Sequence, residues 1–336
     1  MSNSKTCKEL TATITKLDYP VASVGIDVSK DKLDIALVYA DNKHSSYVFE
    51  NSPRGIKSLV ALLKKQGTAE TVPCVIESTG NYHLRSAIMI TQANFAVKVI
   101  NPLITKKYQK SSIRNAKSDP IDAYRLAQIG LLEPELPLFK ADKSNIGSKK
   151  LVSYLAHLEK NKQKLQMSLK QLSDSKQLLE IKVDLKPIKS AIEKIDKQIK
   201  ILENKLCEHA PEEAKELART VKGLSEKKVA IIFSILADKH FANRDQLVAF
   251  VGMDLALRKS GKWQGKEKLT KRGNPMARKT LYKIAWGLKQ HNPIYKEYYD
   301  RLYHQEKRHY NSAMVAVARK FLKFLFAYYW KGTVTV

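Results

Sequence analysis

Four carboxylates are the residues of this 336-residue chain whose type and setting could do chemistry. Asp27 closes an apolar run in Gly25-Ile26-Asp27-Val28-Ser29-Lys30, and Glu77 closes another in Val75-Ile76-Glu77-Ser78-Thr79-Gly80. An acidic group at the end of a strongly apolar strand is costly unless a cation offsets it, and strand ends are where open sheets place their sites. Asp119 and Asp122 lie in Lys117-Ser118-Asp119-Pro120-Ile121-Asp122-Ala123. Their spacing lets both face one way on a helix that Pro120 would start, although for that pair taken alone a helix cap and a macrodipole partner are the favoured explanation. Gathered at one sheet edge, the four would offer oxygen ligands to one or two Mg2+ ions, and two ions about 3.5–4 Å apart serve the attacking and leaving oxygens of a phosphodiester. Phosphoryl transfer is the chemistry to expect. Ser260, before a glycine in a basic loop, is by itself ordinary turn chemistry.

The elements that must position these groups fall into three segments. Over residues 20–140, strands are expected at 21–28, 33–39, 46–49, 72–76 and 96–100, with helices at 53–66 and 82–92 and one more after Asn101-Pro102. The order βββαβαβ followed by helix fits an α/β ribonuclease-H-like (RuvC-like) domain, and other α/β layers share the pattern. Over residues 144–218, Leu151, Leu155, Leu158, Lys162, Leu165, Leu169, Leu172, Lys176, Leu179 and Val183 form a heptad seam with two lysine interruptions. Ile188 to Leu206 repeats the spacing in a shifted phase after Pro187, so this coiled-coil segment is a bent helix, a hairpin or a seam between subunits. Residues 219–336 read as mostly helical: 227–237, 244–251 ending at Gly252, a helix from Pro275, and an aromatic helix at 313–330 whose Phe321, Phe324, Leu325 and Tyr328 pack inward. Residues 254–274 read as an exposed loop.

Charge indicates the partner. Against 33 acidic residues stand 60 basic ones, a formal net of +27, of which +16 falls in residues 221–336. The stretch from Arg258 to Lys283 holds ten basic residues opposed only by Glu267. A short basic run can be a solvated surface, but the total favours a polyanion, with Arg258, Lys259, Lys262, Lys266, Lys271, Arg272 and Arg278 as the nucleic-acid contacts. No 18 apolar residues run together without a charge, the N-terminus lacks a secretory core, and Cys7, Cys74 and Cys207 are too scattered for a zinc site or disulfide framework. A cytosolic protein without a membrane span is expected.

These residues resemble the DEDD transposases of the insertion-sequence-110 type, a family that includes the Piv DNA invertase. The resemblance rests on Gly-Ile-Asp-Val-Ser-Lys at 25–30, Glu-Ser-Thr-Gly-Asn-Tyr-His at 77–83, Asn101-Pro102 and Lys-Ser-Asp-Pro-Ile-Asp-Ala at 117–123. It continues in Phe250-Val251-Gly252, Ser260-Gly261-Lys262, Gly265 and Thr270-Lys271-Arg272-Gly273-Asn274 leading to Arg278. It implies that Asp27, Glu77, Asp119 and Asp122 are the family's acidic residues and that Ser260 attacks a DNA phosphate and stays covalently linked to it. It further implies donor and target DNA as substrates, a structured bridge RNA as guide, a homo-oligomer (dimer or tetramer), and a place in the prokaryotic cytosol at the nucleoid. Two departures occur. Val221-Lys222-Gly223-Leu224-Ser225 replaces a Pro-Gly-Ile-Gly-like helix-hairpin-helix turn, and Met253-Asp254-Leu255 replaces a Leu-x-Pro. A metal nuclease or junction resolvase using water, and a non-catalytic nucleic-acid-binding protein, remain the competing readings of the residues.

Overall fold

The computed structural model describes residues 19–78, 80–109, 119–180, 182–256, 259–260, 263–264 and 268–330; for 109, 119, 255–256, 259–260, 263–264 and 268 the description is of the backbone. The chain divides into two compact units, 1–142 and 143–336. No helix among the described residues is long and apolar enough to cross a membrane.

The first unit is a five-stranded mixed sheet in the order β3-β2-β1-β4-β5. Strands β1 (Val21–Val28), β2 (Lys32–Tyr39) and β3 (His44–Glu50) form an antiparallel meander, while β4 (Pro73–Glu77) runs parallel to β1 and β5 (Ala96–Ile100) parallel to β4. β-branched runs on strands covered on both sides account for the near-continuous burial of β1 and β2. One face carries Ile26, Leu33, Ile35, Leu37 and Ile76, packed against Ile56, Leu59 and Leu63 of α1 (Pro53–Lys65) and Ile90 of α2 (His83–Gln92). Helix α1 starts where Ser52 accepts from Gly55 N and Pro53 needs no donor. On the other face Val75 and Ile100 meet Leu126 and Ile129 of α4 (Asp119–Leu132), reached through α3 (Pro102–Gln109).

In the second unit α5 (Lys143–Leu179) and α6 (Lys186–Glu208) fold back on one another as a helical hairpin, which decides the choice Pro187 posed: it lies in the first turn of α6. Both lysine interruptions of the seam find partners within the hairpin, Lys162 with Asp196 and Lys176 with the Val183 carbonyl at 3.1 Å. At its base Val152, Leu155, Ile199, Leu202 and Leu206 join the core of the following helices. These are α7 (Glu212–Thr220), α8 (Glu226–Leu236), α9 (Arg244–Val251), α10 (Pro275–His291), α11 (Pro293–Asp300) with a π-helical turn at Arg301–Gln305, and α12 (Tyr310–Tyr329). Phe321 and Leu325 of α12 are buried, with Phe324 and Tyr328 packed against the same core, as their spacing predicts. Between α7 and α8 the departed turn keeps its essential glycine. Gly223 has φ +94°, and a Cβ there would lie 2.6 Å from the Gly287 carbonyl of α10.

The expected loop at 254–274 is instead partly strand: β6 (Leu255–Ala256) pairs antiparallel with β9 (Lys268–Leu269), and β7 (Lys259–Ser260) with β8 (Trp263–Gln264). Strands of two residues are too short to leave an alternating pattern, so backbone pairing alone defines them.

Candidate active site

Sheet register places the first two carboxylates. Ile26 pairs with Ile76 between the parallel strands β1 and β4. Asp27 and Glu77 each follow by one residue, so they stand side by side and, by the pleat, face away from the Ile26 side. That is the α4 face. Gly25, two residues before Asp27, lies so close to α4 that a Cβ would sit 1.9 Å from the Ala123 carbonyl and 2.5 Å from Ala127 N. Gly130 at the other end of α4 approaches Ser23 and Val75 in the same way. Helix α4 therefore runs antiparallel to β1, and its first turn, with Asp119 and Asp122, points toward the Asp27 end of the strand.

Within that arrangement Asp122 pairs with Arg125 at 3.1 Å, both side chains about four-fifths buried. The Asp119 side chain lies outside the described residues, as does Thr79. Among the described residues no three acidic, histidine or cysteine side chains stand close enough together to hold one metal ion. The fold thus brings Asp27 beside Glu77 and aims the start of α4 at them.

Three residues near this edge escaped the sequence reading. Asp34 of β2 pairs directly with Asp27 across the antiparallel ladder and is buried, with Lys32 Nζ 3.2 Å from its carboxylate. Only register reveals this neighbour. Facing carboxylates are unfavourable across a ladder unless a cation is near, and Lys32 stands beside Asp34. Arg125 is the second, a cation planted among the carboxylates at a spacing of three from Asp122 that the sequence could have revealed. Asn51 is the third. Its Nδ2 donates to the Ser29 carbonyl at 2.8 Å and the Tyr82 carbonyl at 3.4 Å, while Arg85 donates to the Asn51 carbonyl at 2.9 Å. This knot fixes the chain just after Asp27 and just before α2, on either side of the acidic edge.

Ser260 belongs to the second unit. Its backbone pairs with Trp263, and only Gly261 and Lys262 separate the two in sequence, so it occupies the end of the β7–β8 ladder. The side chains of Lys259 and Ser260, and residues Arg258, Lys262 and Lys266, lie outside the described residues. Lys271 and Arg272 are exposed just beyond β9. Arg278 in α10 directs Nη1 at two carbonyls, Val251 at 3.0 Å and Gly273 at 2.6 Å. Two further cations of the basic stretch, Lys279 and Lys283, grip Glu159 of α5. Lys283 Nζ donates to Oε1 at 2.8 Å, and Lys279 Nζ sits 2.9 Å from Oε2 as an ion pair rather than an aligned hydrogen bond. Burial of Glu159 works to raise its pKa, but the two lysines outweigh it and hold the carboxyl below its ordinary 4.5.

Two comparisons place the chain in the class of transposases, enzymes that process DNA. A family model described as "Transposase", for DEDD transposases of the IS110 type, matches residues 24–176, and one described as "Transposase IS116/IS110/IS902 family" matches residues 215–300. The first spans all four predicted carboxylates and the second spans Ser260. No curated protein matches the chain. The chain belongs to the IS110 family of transposases. Its DEDD branch depends on divalent metal, in keeping with the oxygen donors at the sheet edge.

Proposed function

We propose that this transposase is a Mg2+-dependent recombinase in which Ser260 is the nucleophile and a bridge RNA selects donor and target DNA. The observation that carries the reading is the β1–β4 register, which sets Asp27 beside Glu77 under the first turn of α4. The sheet order β3-β2-β1-β4-β5, an antiparallel meander continued by parallel strands, supports an RNase H-like first domain. Asp27, Glu77, Asp119 and Asp122 would hold one or two ions, which when bound supply charge neutralisation at the scissile phosphate and favour the ionised hydroxyl.

The chain's own groups do the rest. The Ser260 hydroxyl gives up its proton and forms an oxygen–phosphorus bond as the bond to the departing strand oxygen breaks, and that oxygen takes a proton. A strand end then attacks the phosphoserine, restoring the serine hydroxyl and completing the exchange with no net loss of phosphodiester bonds. Exposed Lys271 and Arg272, with Arg258, Lys259, Lys262 and Lys266, hold the backbone phosphates. Guidance by RNA pairing fits a protein whose excess charge would bind nucleic acid by shape and backbone. The half-buried distal part of the α5–α6 seam, including Leu165, Leu169, Ile188 and Ile192, would pair protomers in a dimer or tetramer.

The test is to incubate the protein with the DNA of its element ends, the transcript of the adjoining noncoding stretch and Mg2+, and then denature. DNA should remain attached to Ser260, and Ser260→Ala should neither form the adduct nor recombine. Recombination by Ser260→Ala would remove the serine from the mechanism. Cleavage without an adduct would favour a nuclease that uses water.

A further inference from the structure

Ser260 lies on the arm of chain that leaves α9 and returns to α10, and the root of that arm is locked. The lock begins where α9 stops at Gly252, with φ +73°, and ends where α10 starts at Asn274, whose side chain accepts from Met276 N at 2.8 Å. Across it Lys271 N donates to the Gly252 carbonyl at 3.3 Å and Thr270 N to the Asp254 carbonyl at 3.0 Å. The Thr270 hydroxyl donates to the Asp254 carboxylate in a short hydrogen bond. Next to it Leu255 pairs with Leu269 and Ala256 with Lys268, and a separate ladder pairs Lys259 with Gln264 and Ser260 with Trp263. Behind the lock, the Arg278 guanidinium bridges the carbonyls of Val251, on the outgoing chain, and Gly273, on the returning one. The two chains touch so closely that a Cβ on Gly273 would sit 2.2 Å from the Phe250 carbonyl.

We infer that Asp254, Thr270 and Arg278 form a neck that sets the direction of the Ser260 arm, so that Arg278 is a positioning residue rather than a phosphate contact. The inference rests on the proposed nucleophilic role of Ser260. Two paired strands without a third are marginal in water, so the arm takes its direction from its root. Ser260 lies six positions beyond Asp254, a reach of at most about 20 Å at strand rise. A tilt of about 10° at the root moves the tip by roughly 3 Å, and a misplacement of about 1 Å already costs on the order of a hundredfold in rate.

The test uses the full-length protein and the variants Arg278→Ala, Thr270→Val and Thr270→Ser. Three quantities are measured: hydrogen exchange at the Thr270 and Lys271 amides, salt-dependent binding to a short duplex of random sequence, and the Ser260–DNA adduct at saturating element-end DNA. Arg278→Ala and Thr270→Val should each lose protection at those amides by roughly tenfold and lose adduct in step, with duplex affinity and salt slope unchanged. Thr270→Ser, which keeps the hydroxyl, should restore both. A salt slope lowered by about one in Arg278→Ala with amide exchange unchanged would make the arginine a phosphate contact and overturn the inference. Thr270→Ser exchanging as fast as Thr270→Val would also overturn it. Absence of an adduct in the wild type would count against the nucleophilic reading alone, because the exchange data judge the neck without any reaction.

Discussion

Asp27 and Glu77 stand on strands covered by helices on both faces, whereas Ser260 stands on a ladder of two-residue strands rooted in a few polar contacts. The acidic edge is placed by repetition. From Ser23 to Val28 the pairs of β1 with β2, and those of β1 with β4, keep one register, and slipping by one would turn Asp27 and Glu77 toward α1 and α2. The serine arm has less redundancy, since its root rests on the few bonds made by Thr270, Asp254, Lys271 and Arg278. On the proposed reading the acidic edge is fixed, whereas the aim of Ser260 can be altered by a single substitution.

The largest effect expected from breaking that contrast is at Gly25. Alanine there would drive its methyl group into the Ala123 carbonyl of α4, and overpacking against backbone costs on the order of 3 kcal/mol. Thermal melting should fall by many degrees, while exchange at the Thr270 and Lys271 amides stays as in the wild type. Equal loss in both places would mean that the two regions are not independently built.

Next come the carboxylates. Asp27→Asn and Glu77→Gln should each lower recombination by at least about a hundredfold, as expected for loss of a ligand rather than of its support, and chelation of divalent metal should do the same to the wild type. Random-duplex affinity should stay constant. Unchanged DNA processing in these variants would leave a protein that binds nucleic acid without catalysis.

A smaller effect is expected at Glu159. Its folded pKa lies below 4.5, so the stability it contributes is complete above that value and is lost as pH falls through the folded pKa. Melting temperature followed from pH 6 downward should therefore drop more steeply in the wild type than in Glu159→Gln. The variant itself should melt a few degrees lower at neutral pH, with about 1 kcal/mol corresponding to roughly 2–4 °C in a domain of this size. Parallel curves would remove the lysine pair as the cause. The smallest effect is at the surface: Lys271→Ala and Arg272→Ala should each lower the salt slope of duplex binding by about one and leave stability within error. A variant that also lost amide protection at the arm root would assign that residue to the neck.

Much of this was legible from pattern. Strands β1 and β5, helix α9 with its Gly252 stop, and the start of α10 at Pro275 lie where apolar runs, a glycine and a proline put them. Helix α7 was overlooked, although Glu212 and Glu213 after Pro211 and Arg219 in the last turn are a readable helix signature. The short ladders around Ser260 were not readable, because two residues carry no period.

Residue type and local spacing were enough to single out Asp27 and Glu77, as acids ending apolar runs, whereas Asp119, Asp122 and Ser260 stood out through the motifs of the resemblance, which are likewise properties of neighbours along the chain. What only the tertiary structure decided was company across the chain. Asp34 faces Asp27 through strand pairing, Arg278 binds the carbonyls of Val251 and Gly273, and Lys279 and Lys283 close on Glu159 of another helix. Each of these depends on register or on a helix crossing, and those are set by the sum of many packing contacts rather than by the identity of the residue itself.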